Sequence, residues 1–131
     1  MLIEKTILQW HETLKQTNPN QLNDLLAADV VFHSPVLHTP QKGKALTKMY
    51  LSAAFYVLLN KNFKYKRQVL QGNQAVLEFE TEVDGIIING VDMIECDENS
   101  KIIDFKVMVR PLQGLQMIQK KMLEMLEQSK K

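Results

Sequence analysis

The apolar periodicity of this 131-residue chain switches from mainly helical to alternating at Asn60, and that change limits the folds open to it. Before Asn60 the spacing is helical. Ile3, Ile7, Trp10 and Leu14 recur at i, i+4, i+7 and i+11, one face of a helix over residues 2–17. Asn18-Pro19-Asn20 ends it, because proline disfavours helix in the residue before it. Asn18 then caps a short second helix with Pro19 at its first position, and Leu22, Leu25 and Leu26 form its buried stripe. Val30-Val31-Phe32 is β-branched and aromatic and reads as a short strand. Val36 to Lys42 reads as a loop, and Gly43 to about Leu59 as a third helix.

After Asn60 the period is two. Phe63, Tyr65, Arg67 and Val69 alternate with Lys64, Lys66 and Gln68, and Gly72-Asn73 marks a hairpin turn. Leu77, Phe79, Thr81 and Val83 alternate with Glu78, Glu80 and Glu82. Pairing of these two strands sets three acidic groups on the face that holds Lys64 and Lys66, an ion-paired, solvated face. Asp84-Gly85 is a second turn. Ile86–Cys96 and Ile102–Arg110 follow as strands, and the tail from Pro111 is helical, with Leu115, Ile118, Met122, Met125 and Leu126 as its stripe. Helices early and an antiparallel run late indicate an α+β fold, a curved sheet with helices on one side. No internal repeat or boundary divides residues 1–131, so one domain is expected.

Composition removes several function classes. Lys plus Arg is 16 against 15 for Asp plus Glu, so no basic stripe for nucleic acid is expected. The stretch Met49–Leu59 is far shorter than the ~20 residues of a spanning helix. Charge interrupts Met1-Leu2-Ile3-Glu4-Lys5 before an export signal can develop. The single Cys96 rules out an internal disulfide framework and fits a reducing, cytoplasmic setting.

Asp92 is the most informative residue. Ile86, Ile88, Gly90, Asp92, Ile94 and Cys96 share one strand face, and everything else on that face is apolar or glycine. A carboxylate there is costly unless paired or protonated, which marks it as a candidate acid–base group. The bland alternative is a hydrogen bond to a nearby turn. His33 and Ser34 end the first strand and point to opposite faces, so adjacency does not make them a nucleophile–base pair, and no nucleophile elbow surrounds Ser34. His33, His38 and His11 lack clustered carboxylates, so no metal site is expected. Gly43 and Gly90 are isolated, so no phosphate-cradling loop exists, and no cofactor is expected.

A longer constellation runs in order through the chain. Trp10 lies on the first helix, then come Leu25-Leu26-Ala27-Ala28-Asp29-Val30-Val31-Phe32-His33-Ser34-Pro35-Val36, Gly43, Gly90-Val91-Asp92-Met93-Ile94 and Lys101-Ile102-Ile103. From about residue 2 to 128 it resembles the nuclear transport factor 2-like superfamily, in its SnoaL-like and ketosteroid isomerase-like branch. The resemblance implies a cone, a bent antiparallel sheet wrapped on N-terminal helices with a C-terminal helix and an apolar pocket on its concave side. Ketosteroid isomerases carry their base as an aspartate before Pro-Val; Ser34-Pro35-Val36 stands there, so the base is missing. Their oxyanion-binding tyrosine and protonated aspartate match Trp10 and Asp92. Asp92 is then the candidate acid, base or oxyanion donor and His33 a secondary candidate base. Trp10, Ser34, Ile88, Ile94, Phe105 and Val107 are the candidate ligand-binding residues.

Two functions stay open from the resemblance. One is binding of a small apolar molecule with isomerase, cyclase or hydratase chemistry on an apolar carbonyl substrate. The other is a non-catalytic dimeric binding or scaffold protein with a vestigial pocket. A homodimer is expected through the outer sheet face, where the alternation sets Val91, Met93, Met108 and Ile102 among Asn89, Glu95, Asp104 and Lys106.

Overall fold

A computed structural model describes residues 2–16 and 18–128. The elements in chain order are α1 (Leu2–Gln16), a 3-10 turn (Pro19–Gln21), α2 (Leu22–Leu25), β1 (Leu26–His33), β2 (Gln41–Lys42), α3 (Lys44–Leu58), β3 (Lys64–Gln71), β4 (Gln74–Val83), β5 (Ile86–Cys96), β6 (Ile102–Arg110) and α4 (Leu112–Gln128). Six strands form one curved, unclosed sheet in the order β2-β1-β6-β5-β4-β3. The helices pack on one side of it. This is the α+β cone expected from the sequence, with Thr17 and the terminal residues 1 and 129–131 outside the described part.

Local chemistry explains the joints. The Asn18 side chain accepts from the Asn20 N–H at 3.0 Å, as a cap should, although the turn it caps is 3-10 and α2 begins only at Leu22. Asp84 and Gly85 both have positive φ, 51° and 81°, the backbone of a tight two-residue hairpin. Two of the bonds that pin α1 to the sheet lie near its start. The Ile3 N–H donates to Gly72 O at 3.1 Å, and the buried Thr6 hydroxyl donates to Ser100 O at 2.8 Å.

The sheet departs from the alternating pattern in several places, among them a register shift between Leu26 and Val31 where β1 meets β6. First, it is mixed rather than antiparallel: β1 runs parallel to β6, with Phe32 beside Phe105. β1 is also longer than its β-branched centre, because Leu26, expected on a helix, begins it; β2 falls in what reads as a loop. Second, a bulge between Tyr65 and Arg67 shifts β3 by one residue. Arg67 and Val69 therefore turn outward, and it is Arg67, not Lys66, that pairs with Glu78 at 2.9 Å. Third, a bulge between Glu95 and Cys96 sets Cys96 opposite Ile102. Ile102 is consequently fully buried and does not belong to the outer face.

Two apolar clusters fill the space between helices and sheet. One gathers Ile3, Ile7 and Trp10 of α1 with Phe32, Leu77 and Phe105. The other joins α3 and α4 over Phe79 and Ile88.

Candidate active site

Between the two clusters lies a cavity roofed by α1, α3 and α4 and floored by the sheet. All five phenylalanines of the chain and its single tryptophan line it. Asp92, Tyr65, Trp10 and Ser34 are its polar lining residues, and among the described residues no lysine or arginine lines it.

The strands explain how a carboxylate reaches this place. β5 alternates strictly, so Asp92 projects to the same side as Ile88 and Ile94, between Leu77 of β4 and Val107 of β6. It is 6% exposed. Two positions earlier, Gly90 lies under the Phe79 ring. A Cβ there would stand 2.5 Å from Phe79 Cζ and 2.8 Å from Met108 O, so glycine is required for that close approach.

The Tyr65 hydroxyl donates to Asp92 Oδ2 at 2.8 Å, and the Trp10 indole N–H donates to the Tyr65 oxygen at 2.8 Å. The chain has a fixed direction. An indole nitrogen only donates, so it occupies the phenol oxygen as acceptor and leaves the phenol hydrogen for Asp92. Burial without a cation pushes the Asp92 carboxyl up to about 7, against the opposing pull of the Tyr65 hydrogen bond. Burial, and then the Asp92 charge, push the Tyr65 phenol well above its ordinary range, so Tyr65 remains a donor at neutral pH. Asp92 thus exchanges its proton near pH 7, which is the property of an effective acid–base group.

Of the sequence candidates, Trp10, Ser34, Asp92, Phe105 and Val107 meet at this cavity. Ser34 Oγ accepts from the Val36 N–H at 3.2 Å and keeps its own hydrogen to donate. Ile88 and Ile94 are buried in the two clusters but are not cavity-lining residues. His33 does not reach the cavity. No bulge turns the end of β1, so its ring stays on the outer side, with Nε2 2.9 Å from Asp104 Oδ1. The sequence does not single out Tyr65. Its strand looks like a charged amphipathic edge, and the resemblance places the tyrosine on α1, where Trp10 stands. The available signal was that Tyr65, like Phe63, occupies the apolar register of its strand.

Comparison with known proteins follows the same lines. The sequence model of the SnoaL-like domain matches residues 7–105. A steroid delta-isomerase from Pseudomonas aeruginosa is 35% identical, with a TM-score of 0.92 over 98% of this chain and 93% of that one. A protein with a cystatin-like fold from Silicibacter pomeroyi is 28% identical, with a TM-score of 0.84 over 91% of this chain and 83% of that one. An NTF2-like protein from Mesorhizobium loti, 16% identical with a TM-score of 0.72 over 84% of this chain and 92% of that one, shares the fold. No curated protein matches. By the family match over most of its length and by its fold, the chain belongs to the SnoaL-like domain family of the nuclear transport factor 2-like superfamily.

Proposed function

We propose that this protein binds a small apolar carbonyl compound in the cavity and moves a proton at the carbon next to the carbonyl, with Asp92 as the base. The observation that carries this reading is a buried carboxyl, pushed up to about 7, at the wall of a cavity lined mostly by aromatic and aliphatic side chains. In this role Tyr65 holds the carboxylate through Oδ2, Trp10 orients Tyr65, and the Ser34 hydroxyl donates to the carbonyl oxygen. The 35% identical relative is a steroid delta-isomerase, and proton transfer next to a carbonyl is chemistry of that class. Ser34, in the place where the resemblance puts the base, makes Asp92 the group that must supply it.

The test needs no natural substrate. Acetophenone in D2O exchanges the hydrogens of its methyl group slowly, and proton NMR follows the exchange. The full-length protein should accelerate it by ~10²–10⁴-fold, along a rise with pH centred near 7. Asp92→Asn should abolish the acceleration. Equal acceleration by Asp92→Asn would refute the assignment of the base. Binding of acetophenone without any exchange would favour the second reading, a non-catalytic binding protein.

We also propose a homodimer through the outer sheet face. Val69, Ile87, Met93 and Met108 stand exposed on the outer sheet face, beside the Arg67–Glu78 and His33–Asp104 pairs. Apolar centre and charged rim are the anatomy of an interface. No described helix is long and apolar enough to cross a membrane, and the one thiol, Cys96, is buried and free, in keeping with a cytoplasmic setting.

A further inference from the structure

The cavity has a neighbour. A second depression lies where β1 ends, and Ser34, Pro35, Val107 and Val109 line both. The sheet explains why the two meet. His33, the last residue of β1, stands beside Lys106 of β6. Beyond that pair β6 runs on to Arg110 with β5 as its one strand partner among the described residues. A strand inside a sheet keeps its two sets of alternate side chains on opposite faces. At this open edge one depression takes in both sets, Val107 and Val109 from the cavity side and Lys106 and Met108 from the outer side.

The two depressions differ in charge. Among the described residues no lysine, arginine or histidine lines the cavity, and its one carboxyl is Asp92. The outer depression is lined by His33, His38 and Lys106 and, among the described residues, by no aspartate or glutamate. The nearby acids are engaged elsewhere. Asp104, two residues before Lys106, has its Oδ1 2.9 Å from His33 Nε2. Glu95, diagonal to Lys106 on β5, accepts a hydrogen bond from Gln74. No described residue gives the Lys106 ammonium or the His38 ring a hydrogen bond or an ion pair, although Lys106 is half-buried. A half-buried ammonium without a counter-charge does nothing for the fold and suits an anion that arrives from solvent.

We propose that this edge depression is a carboxylate subsite, so that the molecule bound is a keto acid, its apolar part among the phenylalanines, its carbonyl at Ser34 and its carboxylate against Lys106 and His38. The proposal rests on the carbonyl-binding reading of the cavity and adds the charge class of what enters it. Ser34 links the two sites, because the residue that donates to the carbonyl in that reading stands in the wall common to both. Lys106 brings a positive charge on a flexible stem, and the His38 ring donates an N–H in either tautomer. Hydrogen bonds between charged groups are stronger than neutral ones, so the carboxylate raises affinity. It also sets orientation. A carboxylate turned inward would meet Asp92 with no cation to offset it, so the apolar end enters first.

Calorimetric titration of the full chain at pH 7 compares 3-benzoylpropionate with its methyl ester, which has the same ketone and phenyl ring and no charge. The acid should bind ~10-fold or more tightly than the ester. Lys106→Gln should erase that preference by weakening the acid while leaving the ester unchanged, and Lys106→Arg should keep it. Added salt should weaken the acid and spare the ester, a measurement on the parent that serves where the glutamine variant does not fold. An ester that binds as tightly as the acid overturns the subsite, as does a folded Lys106→Gln protein that keeps the preference. Equal weakening of acid and ester by Lys106→Gln, together with a change in sedimentation, makes Lys106 a residue of the dimer rim and also overturns the subsite. Asp92-dependent exchange of acetophenone without a preference for the acid overturns the subsite and leaves the chemistry standing. A Lys106-dependent preference without Asp92-dependent exchange upholds the subsite and refutes the chemistry instead. No binding of acid, ester or acetophenone overturns both.

Discussion

Asp92 imposes a pH-dependent load on the fold. Its folded carboxyl titrates at about 7, whereas an unfolded aspartate titrates near ~3.9. Between those values the folded state binds a proton that the unfolded state has lost, so stability falls as pH rises through the window. The loss is complete above pH 7 and on the order of 4 kcal/mol as an upper figure. Asp92→Asn should therefore match the parent near pH 4 and exceed it in stability at pH 8, measured by urea unfolding at both pH values. A variant no more stable than the parent at pH 8 would show that the carboxylate is not strained by burial. Tyr65→Phe acts differently. It removes the one hydrogen bond that favours the charged form and leaves the Trp10 N–H without its acceptor. The Asp92 titration followed by carboxyl carbon NMR should move further upward, and stability should drop by about 1–3 kcal/mol. Asp92 was legible in the sequence because β5 alternates without a break, so one polar residue on an apolar face stands out. Tyr65 was not, because the hydrogen bonds that give it a role come from Trp10 and Asp92, 55 and 27 positions away.

At the scale of elements, β5 is the most constrained. Gly90 lets the Phe79 ring lie against the strand, and a methyl group there would meet both that ring and a backbone carbonyl of β6. The carbonyl belongs to a ladder and cannot retreat. Gly90→Ala should lower stability by at least ~1–3 kcal/mol, visible as a lower thermal midpoint, with acetophenone binding weakened because Phe79 lines the cavity. An unchanged midpoint would mean that Phe79 has an alternative seat. Helices α1, α3 and α4 and both hairpins were readable from periodicity and turn chemistry. The bulges of β3 and of β6 were not: each adds a single residue that swaps faces downstream, and neither Lys66 nor Ile103 carries a glycine or proline signal. That is why Arg67 joins the acidic face and pairs with Glu78, and why Ile102 moved from the surface to the core.

For the whole molecule, the exposed strip Val69, Ile87, Met93 and Met108 forecasts a dimer. Sedimentation velocity at micromolar concentration should show twice the chain mass of 15.1 kDa, and Met93→Glu with Met108→Glu should return it to one copy, since charge in the centre of an interface is strongly disfavoured. A parent that sediments as a single copy removes the claim. The fold class emerged from the change of period at Asn60 and the return to a helical stripe after Pro111, but the parallel pairing of β1 with β6 did not, because contacts between distant strands leave no local pattern. That pairing governs the order of assembly. His33 and Asp104, which meet across it, are 71 positions apart. At a synthesis rate of ~5–20 residues per second, β1 emerges from the ribosome seconds before the strand it needs. Until then the neighbouring segments must hold an unsatisfied strand edge in solution, so the last third of the chain sets the pace of folding.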